Sequence, residues 1–221
     1  MSERLAQKLG YVFRDARLLS RALTHRSASA ANYERLEFLG DGLLNFVVGE
    51  ALFRVRPQAE EGDLSRLCAS LVCEDSLAGI AEKLELGDEL FLGAGELKSG
   101  GFRRHSILAD TLEALLGAIY LDGGFDAARD ACLRLFADPL AQLPDAASLK
   151  DAKTRLQEYL QGCGRPLPLY EVQSAEGPAH RQSFTVSCRL TDSSETTQGR
   201  AASRRAAEQD AADNMMKVLN A

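Results

Sequence analysis

The stretch NYERLEFLGDG (32–42) decides the fold of this 221-residue sequence. Its leucines begin an apolar series at steps of three and four residues, which is typical of an amphipathic helix. We therefore predict a helix over residues 33–51. Glu34, Glu37 and Asp41 fall within about 60° of one another on this helix. The apolar set on the other side consists of Leu36, Leu39, Leu43 and Phe46.

A second acidic helix is predicted further along the chain, over residues 107–121. Its apolar residues recur with the same helical period. Asp110 and Glu113 share the opposite face, and Gly117 lies beside them, so the backbone there is expected to be uncovered. The apolar set is Ile107, Leu112, Leu115, Leu116 and Ile119.

These two acidic faces have two interpretations. Charge on a helix face is usually solvated, and that is the simpler one. However, the faces lack the Lys partners at i+4 that solvated helices commonly use. Carboxylate oxygens are also the ligands that Mg²⁺ prefers. A divalent ion held by acids from two helices would activate water and stabilise the leaving oxygen of a phosphodiester. Spacing alone leaves both interpretations open.

The rest of the first half is also helical in pattern, over residues 64–85 and 127–137. Strand-like alternation is absent, so we predict an all-α domain. Residues 138–151, DPLAQLPDAASLKD, contain two prolines and no apolar periodicity, which indicates a domain boundary. The predicted organisation is a first domain over residues 1–140, a linker over 141–150 and a second domain over 151–221.

The second domain has a different pattern. Residues 152–162 indicate a short helix that ends at Gly162. Strands are predicted over residues 168–174 and 183–190, the latter from clear alternation of apolar and polar residues. A third strand near residues 195–199 and a final helix over residues 203–219 complete the order α-β-β-β-α.

Composition limits the functional classes. The chain has a net charge of −6, but residues 149–221 contain 10 basic and 9 acidic residues whereas residues 1–148 contain 16 and 23. The five cysteines form no CxxC pair, which favours free thiols over disulfides or a zinc site. No segment approaches the roughly 18 apolar residues of a membrane span, and the start has no signal layout. A cytoplasmic protein without a membrane partner is expected.

Four segments resemble the ribonuclease III family. NYERLEFLGDG (32–42) resembles the family signature, and GELKSGGFRRHSILADTLEALLGAIYLDGG (95–124) is similar to its second conserved block. ALTHRS (22–27) and EGDLSR (61–66) resemble further family segments. The resemblance covers essentially the whole chain in the same order. It implies an endoribonuclease that cuts double-stranded RNA and leaves 5′-phosphate and 3′-hydroxyl ends with a short 3′ overhang.

The resemblance also implies roles for individual residues. The metal ligands would be Glu37, Asp41, Asp110 and Glu113, with Mg²⁺ as the cofactor, Mn²⁺ as a substitute and no small-molecule cofactor. Asp41 and Glu113 would be catalytic, and Glu34 and Glu61 would assist the placement of substrate or water. Family members act as homodimers, and Phe38 fits a residue that inserts into the partner subunit.

Other polar residues of the first domain are less specific. Lys98, Arg103 and Arg104 lie in a Gly-rich segment before the second acidic helix, where they could contact RNA phosphates or simply be solvated. His25 and His105 are candidate bases by residue type only. A structural or surface role is preferred for both histidines, because the family mechanism uses metal-bound water.

The α-β-β-β-α order, with ASRRAAE (202–208) opening the last helix, resembles a double-stranded RNA-binding domain. Such a domain spans two minor grooves of A-form RNA and the phosphates between them. The resemblance assigns one groove to Thr154, Gln157 and Glu158, the next to Pro178 and His180, and the phosphates to Ser203, Arg204 and Arg205. Alternatively, the two arginines are an ordinary basic helix start.

The sequence departs from that pattern at Ala201 and Ala202, where Gly or Ser is common, and at Glu208. Glu208 occupies the third basic position of the usual Lys-Lys-x-Ala-Lys sequence. The phosphate-binding patch is therefore expected to be lean, and RNA binding to be modest in affinity and sensitive to salt.

Two other functional classes are weighed against the nuclease. A catalytically inactive protein that only binds double-stranded RNA should have lost at least one of the four acids, and all four are present. A helical hydrolase of small phosphorylated compounds would not need the RNA-binding tail. The family resemblance implies processing of ribosomal, messenger and transfer RNA precursors.

Overall fold

A computed structural model of the chain describes residues 3–178 and 181–220, apart from the side chains of residues 3 and 147. The chain divides into two compact units, Met1–Ala147 and Ser148–Ala221. No helix among these described residues is long and apolar enough to cross a membrane.

The first unit is helical. Its eight α-helices in the described residues are α1 (Glu3–Leu9), α2 (Ala16–Ala22), α3 (Glu34–Val55), α4 (Glu61–Leu71), α5 (Glu74–Lys83), α6 (Ala94–Lys98), α7 (His105–Leu135) and α8 (Ala137–Ala141). Short 3₁₀ helices span Leu86–Glu89, Gly101–Arg103 and Ala146–Leu149. A parallel bridge joins Thr24 to Phe91.

The two acidic helices α3 and α7 pack directly against each other at a pair of glycines. A methyl group at Gly40 would overlap the carbonyl oxygen of Glu113, and one at Gly117 would overlap the carbonyl oxygen of Leu36. The expectation that the backbone at Gly117 is uncovered is therefore wrong, because α3 covers it. Glycine permits this approach since it has no Cβ atom.

Two helical segments have different limits from those predicted. The segment over residues 64–85 is two helices, because the backbone is extended at Cys73 and α5 starts with Glu74 and Asp75. Acidic residues in a first turn stabilise a helix N-terminus. By contrast, the two segments predicted over 107–137 run together in α7, interrupted at Gly124, whose φ of 83° is a left-handed value.

The apolar series of α3 does not all reach the core. Leu36, Leu43 and Val47 are buried. Phe46 is 61% exposed and its ring centroid lies 6.0 Å from that of Phe125. Apolar residues therefore occupy two sides of α3, one in the core and one on the surface.

The second unit has the order α9 (Ala152–Gly162), β1 (Leu169–Glu176), β2 (Ser183–Arg189), β3 (Thr196–Ala201) and α10 (Arg204–Leu219). The strands form an antiparallel sheet in the order β1-β2-β3, with Val172 paired to Val186 and Val186 to Gly199. Leu156, Leu160 and Met215 from the helices are buried against this sheet. An all-α unit followed by an α-β-β-β-α unit confirms the predicted fold class.

Candidate active site

A cavity of about 520 Å³ opens in the helical unit beside the N-terminal halves of α3 and α7. Segments 25–27, 33–37 and 104–110 contribute most of its walls. Its lining is His25, Arg26, Ser27, Tyr33, Glu34, Glu37, Glu96, Arg104, Ser106, Ile107 and Asp110. Acidic and basic side chains thus meet around one open space.

Three carboxylates converge beside this cavity, and two of them, Glu37 and Asp110, line it. Glu37 from α3 and Asp110 and Glu113 from α7 are half-buried, and each offers an oxygen within 4.8 Å of the other two. The glycine contact between the helices is what brings the acidic faces together. Carboxylate oxygens at this spacing beside an open cavity fit a hard divalent cation that keeps some of its water.

The negative charges of these three carboxylates repel one another. Burial, followed by the charges of the neighbouring acids, raises the pKa of Glu37 to about 7 and that of Glu113 to about 8. Burial also raises the pKa of Asp110. Desolvation and like charge both disfavour a carboxylate anion. A bound cation would therefore favour the ionised form of all three carboxylates.

The other acids predicted for the site lie at different distances from this group. Asp41 is exposed and its Oδ1 accepts a hydrogen bond from Asn45 at 2.6 Å. Its charge nevertheless contributes to the raised pKa of Glu37 and Glu113. Glu34 lines the cavity. Glu61 begins α4, where it accepts from the Ser65 hydroxyl at 2.7 Å, and it is not part of the described cavity lining.

Tyr33 supports the carboxylate group and was not identified from the sequence. Its side chain is 2% exposed, and its hydroxyl donates to Oδ2 of Asp110 at 3.4 Å. Burial, and then the charge of Asp110, raises the pKa of this phenol. Tyr33 therefore remains a hydrogen-bond donor to Asp110 at neutral pH. The signal available in the sequence was its place inside the segment 32–42.

His25 supports the turn at one side of the cavity. Its Nδ1 accepts from the Ser27 backbone N–H at 3.1 Å and contacts the Ser27 hydroxyl at 2.7 Å. Ser27 in turn accepts from the Gly93 N–H at 2.9 Å. The ring is buried, with 8% exposed. These contacts favour a structural role, because Nδ1 is already engaged as an acceptor.

Arg26, between those two residues, was also not assigned a role from the sequence. Its Nη1 lies 3.6 Å from Oε1 of Glu34, and its charge opposes the rise in pKa at Glu37 and Asp110. Arg104 also lines the cavity, held by Glu96 at 2.8 Å. Two guanidinium groups beside the acids are suited to an RNA phosphate.

The remaining candidates of this unit lie elsewhere. Lys98 is exposed at the end of α6, and the Arg103 guanidinium stacks 4.8 Å from the centroid of the Phe102 ring. Neither is part of the described cavity lining. His105 starts α7 and its Nδ1 lies 2.8 Å from Asp75 of α5, so that it connects two helices at the surface.

In the second unit, Thr154, Gln157 and Glu158 share one face of α9, at positions i, i+3 and i+4. Glu158 forms an ion pair with Lys150 at 2.6 Å. Pro178 is exposed after β1, and its carbonyl accepts from the Arg181 N–H at 2.8 Å. His180 lies outside the described residues.

The start of α10 has the predicted basic residues. The Ser203 hydroxyl caps the helix by accepting from the Ala206 N–H. Arg204 and Arg205 follow and are both exposed. Free backbone amides and two cations at a helix N-terminus favour an anion such as phosphate. The Ser203 hydroxyl accepts at the cap and keeps its O–H as a donor, and the two arginines face solvent.

Removal of divalent cations is expected to make the stability of the helical unit fall as pH rises from about 5 to about 8. The pKa values of Glu37 and Glu113 are raised from 4.5, so between these limits the folded chain binds more protons than the unfolded chain. Mg²⁺ should therefore raise the melting temperature more at pH 8 than at pH 6. Calorimetry in EDTA and in Mg²⁺ measures this, and an equal Mg²⁺ effect at both pH values would contradict it.

The fold and the acidic cavity define a nuclease unit joined to an RNA-binding unit, and comparison with known proteins agrees. Residues 15–140 match the family model described as ribonuclease-III-like, and residues 152–219 match the double-stranded RNA binding motif. Together these matches define an endonuclease that acts on double-stranded RNA.

Individual relatives identify the family. The chain is 58% identical to ribonuclease 3 of Alkalilimnicola ehrlichii over 97% of this chain and 94% of the relative. It is 55% identical to ribonuclease 3 of Shewanella amazonensis over 98% and 96%. The crystal structure of the nuclease domain of ribonuclease III from Campylobacter jejuni matches at 48% identity with a TM-score of 0.61. The match covers 65% of this chain and 98% of that chain. The chain belongs to the ribonuclease III family and is an endoribonuclease of that type.

Proposed function

We propose that this endoribonuclease is a Mg²⁺-dependent enzyme that cuts double-stranded RNA to leave 5′-phosphate and 3′-hydroxyl ends with a short 3′ overhang. The proposed substrates are precursors of ribosomal, messenger and transfer RNA in the cytoplasm. The observation that carries the proposal is the convergence of Glu37, Asp110 and Glu113, whose carboxylate oxygens lie within 4.8 Å of one another. Dependence on a divalent metal is a property of the family.

In this proposal Glu37, Asp110 and Glu113 hold the cation, and Asp41 completes the ligand set from the next turn of α3. A bound divalent cation supplies an activated water and stabilises the leaving oxygen of a phosphodiester. Glu34 orients water or substrate from the cavity wall. Arg26 and Arg104 hold a phosphate of the RNA strand beside the acids. The role of Glu61 rests on the family resemblance alone.

Duplex binding is proposed for the second unit. Thr154, Gln157 and Glu158 would meet one minor groove, with Pro178 and His180 in the next. Arg204 and Arg205 would hold the phosphates between the two grooves. This division of contacts follows from the shape of A-form RNA, whose major groove is too deep and narrow for side chains to read. Lys98, Arg103 and Arg104 would add phosphate contacts from the helical unit.

We also propose that the chain forms a homodimer through an exposed aromatic surface on α3 and α7. Phe38 is 83% exposed, and Phe46, Tyr120 and Phe125 lie around the same cavity of about 400 Å³. Such a contiguous apolar surface is typical of a protein interface. A structure of the Campylobacter jejuni nuclease domain is described as having a flexible region involved in dimer formation. Phe38 would enter the partner subunit.

Incubation with a long, perfectly paired RNA duplex tests the proposed function. Cleavage is expected with Mg²⁺ and not in EDTA, and ligation and tailing of the products should show 5′-phosphate and 3′-hydroxyl ends. Light scattering of the protein without RNA should give twice the chain mass of 24.0 kDa. Duplex binding without cleavage in Mg²⁺ would contradict the proposal and favour a protein that only binds RNA. Cleavage of a nucleotide but not of the duplex would favour a small-molecule hydrolase.

A further inference from the structure

Glu208 is the departure from the usual basic pattern, and its side chain does not project into solvent. It is buried, with 9% of the residue exposed. Its Oε2 lies 2.6 Å from the Lys153 ammonium at the start of α9. Its Oε1 accepts from Nε of Arg204, one turn earlier on α10, at 2.9 Å. One carboxylate therefore joins a cation from each helix start.

Further contacts join the same two helix starts. The side-chain oxygen of Gln209 accepts from the Lys153 backbone N–H at 3.0 Å, and Gln209 also hydrogen-bonds the Asp151 carboxylate. Asp151 caps α9 by accepting from the Thr154 N–H at 2.9 Å. The Lys153 ammonium also lies 4.5 Å from the centroid of the Tyr170 ring. These side-chain hydrogen bonds thus fix the first turn of α9, which contains Thr154, against the first turn of α10, which contains Arg204.

A basic residue at position 208 could not make this arrangement. Lys153 and Arg204 both point at this position, and a third cation between them would be repelled by both. A buried carboxylate is stable only when it is paired and hydrogen-bonded, and here both oxygens have a cationic donor. Arg204 donates from Nε, and its side chain remains 65% exposed. Its terminal amino groups are therefore left on the solvent side, where a phosphate can reach them.

We propose that Glu208 is a positioning residue for double-stranded RNA: it holds Arg204 and Lys153 in place and so sets the phosphate-binding arginine relative to the minor-groove residues on α9. This inference rests on the proposed RNA contacts of the second unit. From its charge alone Glu208 would be expected to lower the affinity for RNA, whereas in this role it raises that affinity. A carboxylate in the phosphate patch raises affinity here, because it orders the cations that bind.

A double-mutant cycle on the full chain tests the proposal. Binding of a fluorescent RNA duplex is measured in EDTA, which prevents cleavage, for the unaltered chain, Glu208→Gln, Arg204→Ala and the double variant. Loss of one phosphate contact should weaken binding about fivefold for Arg204→Ala. Glu208→Gln should weaken binding about threefold although it removes a negative charge from the phosphate-binding surface. Adding Arg204→Ala to Glu208→Gln should then weaken binding less than twofold further.

Asp213→Asn is the matched control. Asp213 also lies on α10 and joins two cations, Arg155 at 2.9 Å and Lys217 at 2.7 Å, but it does not contact Lys153 or Arg204. The Asp213→Asn substitution changes the net charge by the same amount as Glu208→Gln. The affinity of this variant for the RNA duplex should therefore be unchanged or higher. Thermal melting of each variant establishes that the second unit is folded, and the non-additivity of the cycle is a readout that simple destabilisation would not give.

Two results would overturn the role of Glu208. One is a dissociation constant for Glu208→Gln equal to or below that of the unaltered chain. The other is an equal effect of Arg204→Ala with and without Glu208. Failure of the unaltered chain to bind the duplex would instead contradict the proposed function, and this role with it.

Discussion

Replacement of Glu113 by alanine is expected to reduce cleavage of duplex RNA by at least about a thousandfold, because removal of a cation ligand forfeits several kcal/mol of charge stabilisation in the transition state. Glu113 has the most strongly destabilised negative charge of the three carboxylates, since burial and three neighbouring acids raise its pKa to about 8. Single-turnover cleavage in Mg²⁺ measures the loss. Duplex binding in EDTA should be unchanged, because the proposed RNA contacts lie on other residues.

Asp130→Ala is a suitable control for this experiment. Asp130 lies on the same helix, α7, with a side chain that is largely exposed and 3.9 Å from Arg129. Its removal takes away an acidic charge without touching the carboxylate group, so cleavage should stay within about twofold, as for other surface substitutions. Cleavage by Glu113→Ala at a rate near that of Asp130→Ala would show that Glu113 is not a ligand of the catalytic cation.

A large loss of thermal stability is expected when Gly40, at the contact between α3 and α7, is replaced by alanine. Gly40→Ala places a methyl group where the Glu113 carbonyl oxygen lies, so α3 and α7 have to separate. Overpacking of a close contact between two backbones costs about 3 kcal/mol, which corresponds to roughly 6–12 °C in melting temperature for a unit of this size. Separation of the helices would also move Glu37 away from Glu113. Calorimetry and Mg²⁺ titration of the variant measure both consequences.

Gly49→Ala distinguishes this contact from the ordinary effect of glycine in a helix. Gly49 lies on the same helix, α3, and a methyl group there would have no atom within 4 Å. Alanine is the better helix former, so this variant should be more stable by about 0.5–1 kcal/mol. The two substitutions are chemically identical and are expected to have opposite signs. Equal melting temperatures for the two variants would contradict the assigned role of the glycine contact.

Several features of the fold could be predicted because they depend on local periodicity. The three- and four-residue steps of α3 and α7 define helices wherever they occur, and the alternation over 183–190 defines a strand. The order α-β-β-β-α followed from these patterns. The break at Cys73 was not predicted, because apolar residues recur at helical spacing on both sides of it. The acidic first turn of α5, Glu74 and Asp75, was the one local signal for a new helix start.

The candidate site was predictable in its residue types and not in its geometry. The resemblance of the segment 32–42 to a family signature identified Glu37, but spacing alone favoured a solvated acidic face over a metal site. Tyr33 and Arg26 received no role, because the side of a loop or helix start that faces a cavity depends on what packs against it. The sequence prediction for Glu208 considered only its negative charge, which was expected to weaken RNA binding. Its proposed effect on RNA binding depends instead on Lys153 and Arg204, which are 55 and 4 residues away in the chain.

The sequence by itself determined most of the secondary structure, the family and which carboxylates are present, since each of these follows from local residue order. Only the tertiary structure decided that Gly40 and Gly117 meet, and therefore that acids 73 or more residues apart share one cavity. The physical reason is that cation binding depends on distances of a few ångströms between carboxylate oxygens. Such distances are set by how closely two helix backbones approach, which no pattern within either helix specifies.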